Sequence, residues 1–100
     1  MRNITIESSV AFVNGANFNK SNTKVINENG KTSLLLHGNC IAIKENNKIK
    51  ITNCNWSTPT TKERLNGVLY YSGFESYKIY QKKGTWYLNN KEWDGSLISL

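Results

Sequence analysis

The chain has 100 residues, a formal net charge of +6 and a pI near 9.5, with 38% hydrophobic and 11% aromatic residues. That length gives one domain with little interior to spare for a deep cleft, and the apolar content excludes a disordered chain. No stretch approaches the ~20 apolar residues of a membrane span, and the N-terminus lacks the apolar run of a signal peptide, so a soluble cytoplasmic protein with no membrane partner is expected.

The positive charge is diffuse. Lys and Arg number 7 against 3 acidic residues in the first fifty positions and 6 against 4 in the second fifty, and no run of like charges marks a basic arm. Such a field suits a nucleotide, a nucleic acid or an acidic protein surface, and it also serves plain solubility. The two cysteines, Cys40 and Cys54, read as small packing or surface residues in a reducing compartment.

Residues 1–22 are the least readable. Arg2 to Ile6 alternate weakly, as a short strand would, Val10, Phe12 and Val13 form an apolar patch, and Asn14-Gly15 marks a turn before a loop-like stretch. From residue 23 to 53 the pattern is that of a β-meander. Asn29-Gly30, Gly38-Asn39 and Asn46-Asn47 are hairpin turns, since these residue types tolerate positive φ. They separate Thr23–Glu28, Lys31–His37, Cys40–Lys44 and Lys48–Asn53, four strands in which Leu34 and Leu36 share a face of their strand, Ile41 and Ile43 share a face of theirs, and Ile49 and Ile51 point inward.

Residues 58–72 carry the helix signal. Either Thr58 is the N-cap with Pro59 at the first helical position, or Thr60 caps and Glu63 closes a capping box. Leu65, Val68 and Leu69 then give one apolar stripe to lie on a sheet. Gly67 weakens the interior by about 1 kcal/mol relative to Ala unless it serves a close approach. Gly73 is the expected left-handed residue past the end. Residues 76–100 return to strands: Tyr77, Ile79 and Gln81 alternate with Lys78, Tyr80 and Lys82, turns follow at Lys83-Gly84 and Asn89-Asn90, and Leu97–Leu100 can close as a last strand. The expected fold is α+β: an antiparallel meander sheet, curled or nearly barrel-like, with one amphipathic helix packed on it.

The segments Leu36-His37-Gly38-Asn39-Cys40-Ile41-Ala42, Trp56 with Thr58 to Asn66, and Gln81-Lys82-Lys83-Gly84-Thr85-Trp86-Tyr87 resemble a family of small bacteriophage and prophage proteins. The family pattern reads L-x-L-H-G-N-x-I-A, then G-W-x-T-x-T-T-K-x-R-L-N, then Q-K-x-G-x-W-Y. The resemblance covers roughly residues 22–95. It departs at Asn55, where the pattern has Gly, and leaves the first ~20 residues unmatched. It implies a phage setting, hence the cytoplasm of an infected bacterial host, and carries no chemistry of its own.

Chemistry must therefore come from the residues. His37, Cys40 and Cys54 supply three soft or borderline ligands where a structural zinc takes four. Asn39 also stands where a zinc deaminase would need its Glu, and no Cys-x-x-Cys follows. With a single His, scattered carboxylates and no Gly-rich phosphate loop, no catalytic residue is nominated, and neither a metal nor a cofactor is expected. Anion binding is the better reading. A helix start offers free N–H groups and the positive end of the dipole. Thr58, Thr60 and Thr61 add hydroxyls, Lys62 and Arg64 add charge, with Arg64 able to grip bidentately, and Trp56 is the adjoining ring. Ordinary capping explains the same residues, and Glu63 would repel an anion. Rings among cations (Tyr70, Tyr71, Tyr77, Tyr80, Trp86, Tyr87 and Trp93 near Lys78, Lys82 and Lys83) could also stack bases, although most must build the core. The expected function is a non-enzymatic phage accessory protein that sequesters a nucleotide-type ligand, with a nucleic-acid-binding protein or a protein–protein inhibitor or virion module as the alternatives.

Overall fold

The chain, described over residues 1–100 by a computed structural model, opens with a helix, α1 (Asn3–Asn14), and not with the strand expected at residues 2–6. The buried positions explain the difference. Thr5, Ser8, Ser9 and Phe12 recur at i, i+3, i+4 and i+7, one face of a helix, yet three of the four are polar. The helix ends at Gly15, whose φ of 68° is left-handed. Lys44 reaches across to donate from Nζ to the Val13 carbonyl at 2.8 Å, placing a cation at the negative end of the helix.

Five strands follow as consecutive hairpins: β1 (Phe18–Lys20), β2 (Thr23–Glu28), β3 (Lys31–Leu36), β4 (Asn39–Glu45) and β5 (Lys48–Ile51). Asn29-Gly30, His37-Gly38 and Asn46-Asn47 form the last three turns, with positive φ at both central positions. The middle turn lies one residue earlier than the sequence suggests, so Asn39 begins β4. The register also slips between Leu34 and Leu35, which pair with Ala42 and Cys40 and leave Ile41 as the extra residue of a bulge. Ile41 and Ala42 are consequently both buried, and Ile43 moves to the opposite face, which corrects the expected pairing of Ile41 with Ile43.

Helix α2 (Pro59–Tyr71) takes the first of the two capping choices: Thr58 Oγ1 accepts from the Thr61 N–H at 3.2 Å, with Pro59 at the first turn. Its stripe of Leu65, Val68 and Leu69 is fully buried. A second, three-stranded antiparallel sheet is made by β6 (Ile79–Lys82), β7 (Thr85–Leu88) and β8 (Lys91–Glu92). The last strand, β9 (Ile98–Ser99), crosses back to pair with β5, so the main sheet runs β1-β2-β3-β4-β5-β9 and stays open, not closed into a barrel. The fold is α+β with two helices on one face of the main sheet. Phe12, Val25, Leu34, Ile51, Leu65 and Leu69 lie at the centre of the core, and Trp86 and Trp93 extend it beneath the small sheet.

Two contacts fix α2. A Cβ on Gly67 would collide with Ser9 Oγ and Thr5 Cγ2, so the glycine permits close approach to α1 and not to the sheet. On the flank, the Asn66 carboxamide donates to the Ile79 carbonyl at 2.9 Å and accepts from the Ile79 N–H at 2.8 Å. A side chain thereby pairs the edge of β6 as a neighbouring strand would.

Candidate functional site at the start of α2

The segment before α2 is shaped by Asn53, which is 3% exposed. Its carbonyl accepts from the Trp56 N–H at 2.8 Å, its Oδ1 from the Asn55 N–H at 2.9 Å, and its Nδ2 lies 3.4 Å from Ser57 Oγ. The turn at Cys54-Asn55 has φ of 52° and 63°. Asn55 therefore occupies a left-handed position that Gly or Asn can fill, and the departure from the phage pattern at this residue is conformationally neutral. The turn lifts Trp56 to 53% exposure at the mouth of a cleft of about 160 Å³.

Eight residues line that cleft. Trp56, Thr58, Thr60 and Thr61 come from the helix start, and Leu36, His37, Asn39 and Ile41 come from the β3–β4 hairpin. The two segments that carry most of the phage resemblance thus meet here. The hairpin side was missed in the sequence because nothing local says which turn faces a helix 20 residues on, and the co-occurrence of the two segments in one pattern was the available signal. The third segment meets the second at Lys62, whose Nζ donates to Gln81 Oε1 at 2.9 Å and sits 5.6 Å from the centre of the Trp86 ring.

The helix start offers fewer donors than its sequence suggests. Pro59 has no N–H, the Thr61 N–H bonds to the cap, and the Lys62 N–H bonds to the Thr58 carbonyl at 3.2 Å. Thr58 and Thr61 also share a hydroxyl hydrogen bond at 2.9 Å. The Thr60 N–H and hydroxyl take no part in these bonds. The capping that marks the helix in the sequence is what engages its other donors.

Lys62 and Arg64 do not line the cleft. Arg64 is 2% exposed and points to the other side of α2. Its Nε donates to Thr23 Oγ1 at 3.0 Å and its Nη1 to Thr5 Oγ1 at 2.6 Å and Glu63 Oε2 at 3.1 Å. Thr5 Oγ1 in turn donates to Glu63. Glu63, expected either to close a capping box or to repel an anion, is the acid of this buried network, with Arg2 3.8 Å away on its outer side. Burial lowers the Arg64 pKa, Glu63 opposes that, and Arg2 adds to it; the guanidinium stays charged throughout the physiological range. Arg64 is thus a cross-link between α1, α2 and β2, which corrects its assignment as the residue that grips a phosphate.

Three large aromatic rings stand exposed, Trp56, Tyr70 and Tyr80, whereas Trp86 and Trp93 are core. Cys40 and Cys54 are separate, half-buried thiols, and no group of three or more His, Cys, Asp or Glu gathers at one place. No helix is long and apolar enough to cross a membrane.

No curated protein and no solved structure matches the chain. A family model described as Kyanoviridae Gp96 protein matches residues 1–98, so the match takes in α1 as well as the segments that meet at the cleft. With all but the last two residues inside that match, the chain belongs to the Kyanoviridae Gp96 protein family, a family of phage proteins.

Proposed function

We propose that this phage protein is a non-enzymatic accessory protein that works in the cytoplasm of the infected bacterium and sequesters a nucleotide-type ligand, withholding it from host defence. The observation that supports this reading is Trp56, a ring 53% exposed that lines one cleft together with Thr60. A base on that ring contributes about 1–3 kcal/mol by stacking. The volume, about 160 Å³, is below the roughly 300 Å³ at which small-molecule pockets begin. It suits one phosphate-sized group, with the rest of the ligand lying outside on Trp56. The +6 charge assists capture by long-range attraction.

A thermal-shift panel of mono- and cyclic nucleotides tests this, since a ligand that binds the folded state raises Tm by mass action. No shift at millimolar ligand sinks the proposal. Fluorescence locates the site, because Trp86 and Trp93 are 5% and 7% exposed and quenching by a stacked base reports on Trp56. Trp56→Ala should remove both the quenching and the shift while leaving the unliganded Tm nearly unchanged. A shift that survives the substitution places the ligand elsewhere.

A second reading, single-stranded nucleic acid, is favoured by a different face. On the small sheet Tyr80 and Tyr87 stack with centroids 5.1 Å apart and planes within 10° of parallel, and Lys78 and Lys82 lie two residues to either side of Tyr80. Binding there should weaken steeply with added salt and survive Trp56→Ala.

A further inference from the structure

Both helices cover one face of the main sheet, and the other face is bare. Three cross-strand rows occupy it, read from β2 through β5: Glu28, Lys31, Glu45, Lys48; then Ile26, Ser33, Ile43, Lys50; then Lys24, Leu35, Cys40. Residues of β2, β3 and β4 in these rows line one broad, shallow cavity of about 560 Å³, with Ile26, Leu35 and Ile43 half-buried at its centre. Leu97, 57% exposed, borders the same face beside Ile43 and Lys50.

From the order of these rows we infer that this face pairs with the same face of a second copy of the chain. A twofold axis along the strands, between β3 and β4, lays β2 over the partner copy's β5 and β3 over its β4. The first row then meets its own reverse: Glu28 faces Lys48, and Lys31 faces Glu45, so within that row every charge meets its opposite, while Lys50 and Lys24 on the same face meet no acid. In the second row Ser33 faces Ile43, and Ile26 faces the aliphatic stem of Lys50. In the third, Leu35 faces Cys40. In two of these three contacts a large side chain meets a small one, which lets the facing sheets interdigitate. A face that opposes acid to base and large to small under one rotation is self-complementary, the condition for a closed dimer. The fit also selects against a generic acidic partner, which would leave Glu28 and Glu45 facing like charge.

The size places the contact among the smaller interfaces. Four strands at ~4.8 Å by six residues at ~3.4 Å give roughly 400 Å² of flat area per copy. With side-chain relief that lies at the low end of interface sizes, roughly 1,200 Å² in total, the range of weak and transient contacts. The ligand cleft stays open, because Leu36 and Ile41 face the helix side of the sheet.

Sedimentation equilibrium on the full chain across the micromolar range, at low and high salt, is the test. The wild type is expected to show a monomer–dimer equilibrium that weakens with salt. Ile43→Asp should be monomeric with an unchanged circular dichroism spectrum. Lys31→Glu places like charges at two symmetry-related contacts and should weaken the dimer at least tenfold. Adding Glu45→Lys to it sets position 31 against an opposite charge again across the axis and should restore the dimer, a test that stands even if Ile43→Asp fails to fold. A wild type that is monomeric throughout, a folded Ile43→Asp that still dimerises, or a charge swap that does not restore what Lys31→Glu removed would each overturn the inference.

Discussion

Arg64 shows how much can rest on one side chain. Its guanidinium binds a strand hydroxyl, a hydroxyl of α1 and the neighbouring Glu63, and it is 2% exposed while the Glu63 side chain is 30% exposed. Breaking a buried pair from one side costs roughly 3–5 kcal/mol; with Glu63 able to turn to solvent, Arg64→Ala should cost about 3 kcal/mol and lower Tm by roughly 15 °C. Arg64→Lys should rescue little, because a single ammonium cannot reproduce the fork. Urea melts of the three chains decide it, and an alanine variant as stable as wild type would refute the structural role. Cys40 gives a residue-scale pH effect. Burial raises its thiol pKa above the ordinary 9.0, opposed by hydrogen bonds to Ser33 and the Ala42 backbone and by Lys31. A raised pKa means that the folded state favours the neutral thiol. Its share of stability is whole below pH 9.0 and is lost as pH climbs through the folded value. Wild type should therefore lose stability above pH 9.0 faster than Cys40→Ala does, and parallel alkaline limbs would refute this.

Among the elements, the α1–α2 contact depends on the absence of a side chain. In an open helix Gly67→Ala would gain about 1 kcal/mol. Here the new Cβ meets Ser9 and Thr5, so a net loss of about 1–3 kcal/mol is expected, read from the chemical-denaturation midpoint. Asn66→Ala leaves the N–H and carbonyl of Ile79 without their side-chain partner, which should cost about 2 kcal/mol. Hydrogen exchange at the Ile79 amide should accelerate before the rest of the small sheet loosens, and unchanged exchange there would show that Asn66 is not the clamp. These same contacts explain what the sequence could and could not reveal. The β2–β5 meander was legible because its turns carry Asn or Gly at five of the six positive-φ positions; the sixth is His37, where the middle turn was read one residue late. Helix α1 was not, because the stripe that identifies it is Thr5, Ser8, Ser9 and Phe12, and a mostly polar stripe carries no hydrophobic period. The bulge at Ile41 left no local mark either, and it reversed the face of Ile43.

For the whole molecule, the main sheet has helices on one side and the small sheet is joined to α2 through Asn66 and Lys62. The helix half of the cleft could be read from capping residues, but its hairpin half depends on how the sheet lies under α2, and the burial of Arg64 depends on where α1 lands. Each is a long-range outcome that adjacent residues do not encode. The hairpins, by contrast, close over two residues each, while the bonds from Thr5 to Glu63 and to Arg64 span 58 and 59 positions. Local contacts are cheap to form early and long-range ones come late. Phe12→Leu in α1 should therefore give a φ-value near zero, with Leu34→Val in the meander clearly higher, as chevron plots of the two variants would show. During synthesis at about 5–20 residues per second, the 58 positions from Thr5 to Glu63 correspond to roughly 3–12 seconds. For that interval Thr5, Ser8 and Ser9 have water in place of α2, and their hydroxyls make the waiting segment far less sticky than an apolar stripe would be. The helix made first waits for the partner helix that covers this face, and its polar face suits it to the delay.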